Sequence, residues 1–196
     1  MGIESAKTGK LLYHLTKLSN LESILENGLV SRKILLDNKV RFEDVANPDI
    51  ITKRSKLGLD KFTPFHFHPY SSFDVAVKNS FPDEEFIYIC ITRDLARFNK
   101  FKILPKHPLS MDECILYDYD EGLTRIDWDT LVQKGLTDEY AKHVKMAECL
   151  TELVIPAEHF QSIVVKDEET KQFVESLFNK KNIKKNPPYI NIQNWF

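Results

Sequence analysis

Leu11-Leu12-Tyr13-His14-Leu15-Thr16 is the stretch that decides the fold of this chain. Its run of apolar and aromatic residues predicts a β-strand. His14 and Thr16 are two residues apart, so they would lie on the same face of that strand. A histidine and a hydroxyl side by side on one strand are a candidate polar clamp, although a histidine in an apolar strand is also typical of a satisfied core residue.

The residues that follow this strand predict a short helix. Ser19 and Glu22 have the spacing of a capping box, which starts the helix at Asn20, and Gly28 is a typical stop. The apolar face of this helix would consist of Leu21, Ile24 and Leu25. We therefore expect a strand that runs directly into a helix near the working cleft.

Length and composition predict one domain over residues 1–196, with an ordinary hydrophobic content of 42% and a net charge of −2. No apolar run approaches the roughly 18–20 residues that span a bilayer, and residues 1–7 lack a signal-peptide pattern. Cys90, Cys114 and Cys149 are odd in number and form no Cys-x-x-Cys, which argues against a disulfide scaffold or a zinc knuckle. We expect a cytoplasmic protein that has no membrane partner.

Charge is unevenly distributed along the middle of the chain. Residues 93–107 carry five basic side chains against one acidic, and residues 112–129 carry seven acidic side chains against one basic. A basic stripe, defined here as residues 93–107, could guide a polyanion into a groove. The alternative is two solvated faces with no binding role.

The remaining pattern predicts an α+β protein of split antiparallel sheets with short peripheral helices. Strands are expected at 62–68, 86–92, 101–104, 146–154 and 162–165, and helices at 50–55, 71–79, 127–134, 138–144 and 168–178. Pro64 makes a central place in the sheet less favourable for the strand at 62–68. The tail, residues 179–196, is expected to dock as an edge strand with its terminal Trp195-Phe196.

Several side chains could carry chemistry, and each also has an ordinary explanation. In its strand, Glu148 would face away from the small residues Ala147 and Cys149, toward a cleft or toward water. Arg54 could bind a pyrophosphate or be a solvated loop cation. His66 and His68 form a His-x-His pair, but no further ligand follows at a recognised metal spacing, so we expect no metal. The aromatic residues around this pair could stack on bases or fill the core.

The order of these motifs resembles the DarT family of DNA ADP-ribosyltransferase toxins over about residues 11–178. The matching segments are Tyr13-His14-Leu15-Thr16, Asn20-Leu21 through Gly28-Leu29, Asp49-Ile50-Ile51 with Arg54, Thr63-Pro64-Phe65-His66-Phe67, Ile126-Asp127-Trp128, Ala147-Glu148-Cys149-Leu150, Ile155-Pro156 and Ile163-Val164-Val165. The resemblance implies an ADP-ribosyltransferase-like fold, NAD as co-substrate and a base of single-stranded DNA as acceptor. It also implies a macrodomain antitoxin partner, a DarG-like ADP-ribosyl glycohydrolase.

Roles for individual residues follow from the same resemblance. Glu148, Arg54 and His14 would be catalytic. NAD would be bound by His14, Leu15, Thr16, Ser31, Arg54 and Phe67. DNA would be bound by Lys102, Lys106, His107 and His66.

Two segments depart from the thymidine-modifying pattern. Residues 65–69 are less rich in tyrosine, and Ser71-Ser72-Phe73-Asp74 replaces a Ser-Pro-Met-type run. These departures favour guanine over thymine as the modified base. Two alternatives remain open, namely an RNA or protein acceptor, and a non-catalytic nucleic-acid-binding module.

Overall fold

Eight strands are defined in the computed structural model, which describes residues 3–108, 114–135, 138–183 and 189–193. They are β1 Leu11–Lys17, β2 Thr63–His66, β3 Phe86–Thr92, β4 Lys102–Leu104, β5 Tyr117–Asp118, β6 Glu148–Thr151, β7 Ser162–Val165 and β8 Tyr189–Ile192. The predicted strands 86–92 and 162–165 match β3 and β7 at both ends.

The helices of the described residues are short, apart from the last one. They are α1 Leu21–Asn27, α2 Arg32–Asp37, α3 Pro48–Lys56, α4 Ser72–Ser80, α5 Arg93–Phe98, α6 Tyr119–Arg125, α7 Trp128–Leu131, α8 Glu139–Val144 and α9 Glu168–Lys180. Within the described parts of the chain, we find no helix that is both long enough and apolar enough to cross a bilayer.

The described strands form one sheet in the order β5-β4-β6-β2-β1-β3-β7-β8. The α+β class is confirmed, but the expected division into separate sheets is wrong, because a narrow junction joins the two halves. β1 pairs with β3 from Leu11↔Thr92 to Lys17↔Phe86, whereas it pairs with β2 only at Tyr13↔His66. β1 and β2 diverge on leaving this pair, and a cleft opens between them.

β2 occupies the middle of the sheet, which corrects the expectation drawn from Pro64. The Pro64 carbonyl accepts a hydrogen bond from Nδ1 of His14 at 2.8 Å, so it points toward β1. The N–H and C=O of one residue in an antiparallel strand point to the same side. The missing N–H of Pro64 therefore falls on the side where β1 has already diverged, and it removes no ladder hydrogen bond.

Both faces of the sheet are covered by apolar side chains. Ile87, Ile89 and Ile91 of β3 pack in the larger core cluster, which includes residues of α1 and α9. Tyr88 and Cys90 alternate with them and pack on the other face, against α4. β3 is therefore buried on both sides, as its continuous apolar sequence predicts.

The start of α1 differs from the predicted capping box. Residues 18–20 form a 3-10 turn, and Asn20 precedes α1 without a side-chain cap. Gly28 is confirmed as the stop, with a φ of 78°, and a Cβ at this position would lie 2.6 Å from Cγ1 of Val154. The tail forms β8, which pairs in parallel with β7 at the edge of the sheet. The expected edge position is confirmed. Trp195 and Phe196 lie outside the described residues.

Candidate active site

A cavity lies in the cleft between β1 and β2. Its walls come from β1, α1, β2, α3 and residues 42–46 between α2 and α3. The predicted site residues that line it are His14, Leu15, Thr16, Arg54, His66, His107 and Glu148. The fold therefore brings together seven residues that are separated by as many as 134 positions in the sequence.

An ion pair between Arg54 and Glu148 forms the floor of the cavity. Nη1 of Arg54 lies 2.9 Å and 2.8 Å from the two carboxylate oxygens of Glu148. The side chains are 13% and 6% exposed. Glu148 is fixed inside the sheet, opposite His66 of β2 and Leu104 of β4. Arg54 comes from α3, which begins after Asn47, whose side chain accepts from the N–H of Asp49.

Opposing influences act on the pKa of the Glu148 carboxyl. Burial raises this pKa, but the positive charge of Arg54, with smaller contributions from His66 and His107, outweighs burial and lowers it below its usual range. Glu148 is therefore an ionised carboxylate at neutral pH. A fixed negative charge in a partly apolar cavity is suited to stabilising a developing cation.

His14 is the second polar group of the cavity. Burial lowers its pKa to about 4, and the Pro64 carbonyl only partly offsets that effect, so the imidazole is neutral near pH 7. Because a carbonyl can only accept, Nδ1 carries the hydrogen, and Nε2 is then an acceptor. Thr16, next on the same face of β1, accepts from the side-chain amide of Asn20 at 3.2 Å.

His66 and His107 are two further imidazoles in the cavity wall. The ring of His66 stacks on Phe73 of α4 with 5.8 Å between centroids. Burial lowers the pKa of His107 to about 4, although nearby Glu148 acts to raise it. The ring of His107 also stacks on that of His143. Two flat rings beside the carboxylate could accommodate another flat group such as a base.

Two residues expected to bind NAD lie away from the cavity lining. Ser31 is buried, and its side chain caps α2 by accepting from the N–H of Ile34. Phe67 packs edge-on against Trp128 with 5.3 Å between ring centroids, and it lies under the guanidinium of Arg93. Phe67 alternates with His66 along the chain, so its ring turns into the core on the opposite side.

The basic stripe does not form a continuous positive surface. Arg97 pairs with Asp120 at 2.8 Å, and Lys102 pairs with Asp118 at 2.6 Å. β4 and β5 are antiparallel neighbours, and their register sets Lys102 opposite Asp118. Lys106 differs, since its Nζ lies 4.5 Å above the ring of Tyr140. Much of the expected positive charge is therefore neutralised, and Asp112 of the acidic segment lies outside the described residues.

His66 and His68 do not combine into a metal site. Nδ1 of His68 bonds the Pro69 carbonyl, while His66 stacks on Phe73. Within the described ranges, no three histidine, cysteine, aspartate or glutamate side chains lie close enough together to hold a metal ion.

Comparison with known families decides the relationship of this chain to other proteins. Residues 13–196 match the family model described as DarT, ssDNA thymidine ADP-ribosyltransferase. The chain belongs to the DarT family. The match extends past residue 178, where the resemblance in the sequence was taken to end, and it includes the β8 tail. DarT proteins are enzymes, by the family's own description.

Solved DarT structures share the fold of this chain at low sequence identity. The DarT of Thermus sp. 2.9 in complex with ADP-ribosylated ssDNA has a TM-score of 0.80 and 17% identity, covering 94% of each chain. The same protein in complex with NAD+ has a TM-score of 0.76 and 16% identity, covering 94% of this chain and 96% of that one. A Thermosipho africanus DarTG in complex with ADP-ribose has a TM-score of 0.73 and 19% identity, covering 95% of this chain and 50% of that one. No curated protein gives a significant sequence match.

Some cavity residues escaped prediction from the sequence. Residues 42–46, Met146 and Asn20 all line the cavity, and none was predicted to bind a ligand. The segment that contains residues 42–46 has no periodicity, and Asn20 was assigned to a helix start and to a segment that resembles the family. Asn20 lies beyond the end of β1, and no pattern in the sequence places its side chain in the cavity.

Proposed function

We propose that this chain transfers ADP-ribose from NAD to a base of single-stranded DNA and releases nicotinamide, with Glu148 and Arg54 at the reaction centre. The observation that carries this proposal is their ion pair at the floor of a cavity that His14 also lines. NAD as donor is supported by the similarity to the Thermus DarT that was solved with NAD+.

In this reaction the glycosidic bond between nicotinamide and the ribose C1′ breaks, and its electron pair leaves with nicotinamide. The transition state resembles an oxocarbenium ion, as in glycoside cleavage. The ionised carboxylate of Glu148 stabilises that positive charge. A nitrogen of the base then bonds C1′ and loses a proton. Glu148 accepts this proton once Arg54 turns toward NAD, because the pKa of the Glu148 carboxyl rises when the guanidinium moves away.

The remaining polar groups bind and orient NAD. With Nδ1 of His14 occupied by the Pro64 carbonyl, Nε2 accepts a hydroxyl or amide hydrogen of NAD. Thr16 contributes a hydroxyl two residues away on the same strand face. Arg54 has unused donors, since Nε has no hydrogen-bond partner in the described chain and Nη2 reaches only the Leu59 carbonyl at 3.5 Å. These donors suit the pyrophosphate.

The acceptor base would enter beside His66 and His107. Both rings line the cavity near Glu148, and Lys106 precedes His107 at its edge. The family description names thymidine. We propose guanine for this chain, on the support of its departures at residues 65–69 and 71–74, which include His66 and its stacking partner Phe73.

We also propose that the chain is a toxin that is neutralised by a DarG-like macrodomain. The support is the similarity to a Thermosipho africanus DarTG, of which this chain covers half the length. Expression of the wild-type chain should arrest growth, whereas Glu148→Gln should be tolerated.

The direct test is to incubate the protein with labelled NAD and separate pools of single-stranded DNA, RNA and protein. Label should enter DNA only, and Glu148→Gln should abolish the transfer. Oligonucleotides with guanine or thymine as the single variable base then identify the acceptor. Label in RNA or protein alone would contradict the DNA assignment, and label on thymine alone would contradict guanine.

A further inference from the structure

One wall of the cavity is a segment with no regular secondary structure of its own. Residues 38–47 connect α2 to α3 without a helix or strand, and residues 42–46 line the cavity. Backbone N–H and C=O groups outside helices and sheets need other partners when they are partly buried. The position of this wall therefore depends on what holds its backbone.

Asn20 holds the backbone of the wall at Glu43. The Oδ1 of Asn20 accepts from the N–H of Glu43 at 2.7 Å, and Nδ2 donates to the Glu43 carbonyl at 2.9 Å. Nδ2 also donates to Oγ1 of Thr16. Asn20 is only 8% exposed, so its hydrogen bond to Thr16 is buried and those to Glu43 are partly shielded from water. Its amide thus binds Glu43 as a neighbouring strand would, and connects it to β1.

Val45 packs against the core cluster that contains Tyr13 and Tyr88. The charged contacts to the wall are longer or more exposed than the Asn20 hydrogen bonds. Nζ of Lys17 lies 3.1 Å from Glu84 but 3.8 Å from Glu43. Arg32 pairs with Asp44 at 2.6 Å, although both side chains are about one-third exposed. Exposed ion pairs contribute little. The Asn20 amide is therefore the principal polar anchor at the centre of the wall.

We propose that Asn20 is a positioning residue that holds residues 42–46 in place for NAD binding. The inference rests on the proposed function, in that it needs NAD in this cavity. The anchor joins the wall to Thr16, so one amide sets the spacing between the wall and the β1 edge. Releasing it should weaken NAD binding while leaving Glu148 and Arg54 in place.

The test compares Asn20→Ala and Asn20→Asp with Asn27→Ala. Asn27 is an exposed residue at the end of α1, and among the described residues its amide bonds Ser23 alone, so it is a matched control. We expect Asn20→Ala to raise KM for NAD about tenfold, the scale of two lost hydrogen bonds, with kcat within about threefold. Asn20→Asp keeps the acceptor for the Glu43 N–H and should be intermediate. Asn27→Ala should match the wild type.

Limited trypsin digestion measures how firmly the wall is held in place, independently of enzyme activity. Lys39 and Arg41 are exposed at its start. Cleavage after these residues should be faster in Asn20→Ala than in the wild type or Asn27→Ala, while cleavage elsewhere is unchanged. Saturating NAD should slow it in all of these proteins. The unfolding midpoint, measured for each variant, separates local release from global instability.

The outcomes distinguish this inference from the proposed function. A raised KM without faster cleavage after Lys39 or Arg41 overturns the anchor and makes Asn20 a direct contact. Faster cleavage with an unchanged KM overturns the link to NAD. If His14→Ala and Arg54→Lys both bind NAD as the wild type does, the cavity is not the NAD site, and the proposed function fails first.

Discussion

Arg54 and Arg93 are both partly buried, but the protein satisfies their guanidinium groups in opposite ways. Arg93 donates to the carbonyls of Ala6, Lys7, Leu11 and Phe67, and its guanidinium also contacts the rings of Phe67 and Trp128. Arg54 concentrates its contacts on one nitrogen and one carboxylate, that of Glu148. Arg93 uses its donors on fixed backbone partners, whereas Arg54 still has donors that could bind a ligand.

The difference teaches how to separate a structural arginine from a functional one. A guanidinium that uses its donors on backbone carbonyls stabilises the fold and has little left for a ligand. One that faces a cavity with a single acidic partner can exchange that partner for an anion. Both arginines are of intermediate burial, so burial does not distinguish them, but their hydrogen-bond partners do.

The same substitution at both arginines gives the largest expected contrast. Arg54→Lys should lower the rate of transfer about 100-fold, because an ammonium lacks the planar fork of donors that binds the pyrophosphate when Arg54 turns from Glu148 toward NAD. Its free energy of unfolding should change by less than about 1 kcal/mol, since Glu148 keeps a cation. Steady-state kinetics and denaturant unfolding measure the two effects, and a normal rate would remove Arg54 from the reaction centre.

Arg93→Lys should show the reverse. Three donors replace five, and the cation–π contacts with Phe67 and Trp128 weaken, so the free energy of unfolding should fall by about 2 kcal/mol. The folded fraction should retain its rate of transfer. Chemical denaturation of the two lysine variants side by side gives the measurement. A fall in the rate of transfer of the folded fraction would contradict a purely structural role for Arg93.

Acid should destabilise the protein through its buried histidines. The pKa values of His14 and His107 are lowered to about 4 by burial, whereas an unfolded histidine titrates near 6.5. The unfolded state therefore binds more protons between these values, and stability falls as pH drops from about 6.5 to 4, by at most about 1.4 kcal/mol per pH unit for each histidine. Denaturant unfolding of the wild type and His107→Asn at pH 5 and pH 7 tests this. The variant should lose less stability, and equal losses would be inconsistent with a neutral buried His107.

The smallest expected effects concern the basic stripe. Lys106→Ala should reduce the salt slope of log affinity for single-stranded DNA by about 0.7, the value of one phosphate contact. Lys102→Ala should leave the slope unchanged, because Asp118 already neutralises it. Binding titrations at several salt concentrations provide the readout. If both substitutions reduced the slope equally, the ion pair between Lys102 and Asp118 would have to break when DNA binds.

β3 and β7 were predictable because their signals are local. Apart from Ser162 they consist of β-branched, aromatic and other apolar residues, and the prediction reached their observed ends. The two-residue β5 was not predicted, because so short a strand carries no periodicity. Helix starts were less certain, since Ser19 and Glu22 have the spacing of a cap that the chain does not use. At that point Asn20 instead bonds Thr16 and Glu43, which is a tertiary interaction that no local pattern encodes.

The candidate site needed more than periodicity. Arg54 and Glu148 are 94 residues apart, so only the family resemblance could connect them before the fold was known. Ser31 and Phe67 came from the same resemblance, and they lie at a helix cap and in the core. Charge counts along residues 93–107 missed the pairing of β4 with β5, which sets opposite charges side by side.

The most direct test of the account is the kinetics of Glu148→Gln, which keeps the shape of the side chain and removes its charge. The account predicts a loss of about 10³-fold or more in the rate of transfer. It also predicts a dissociation constant for NAD within about threefold of the wild type, because the carboxylate acts mainly in the transition state. A variant that transfers ADP-ribose at a near-normal rate would contradict the assignment of Glu148 and of the cavity around it.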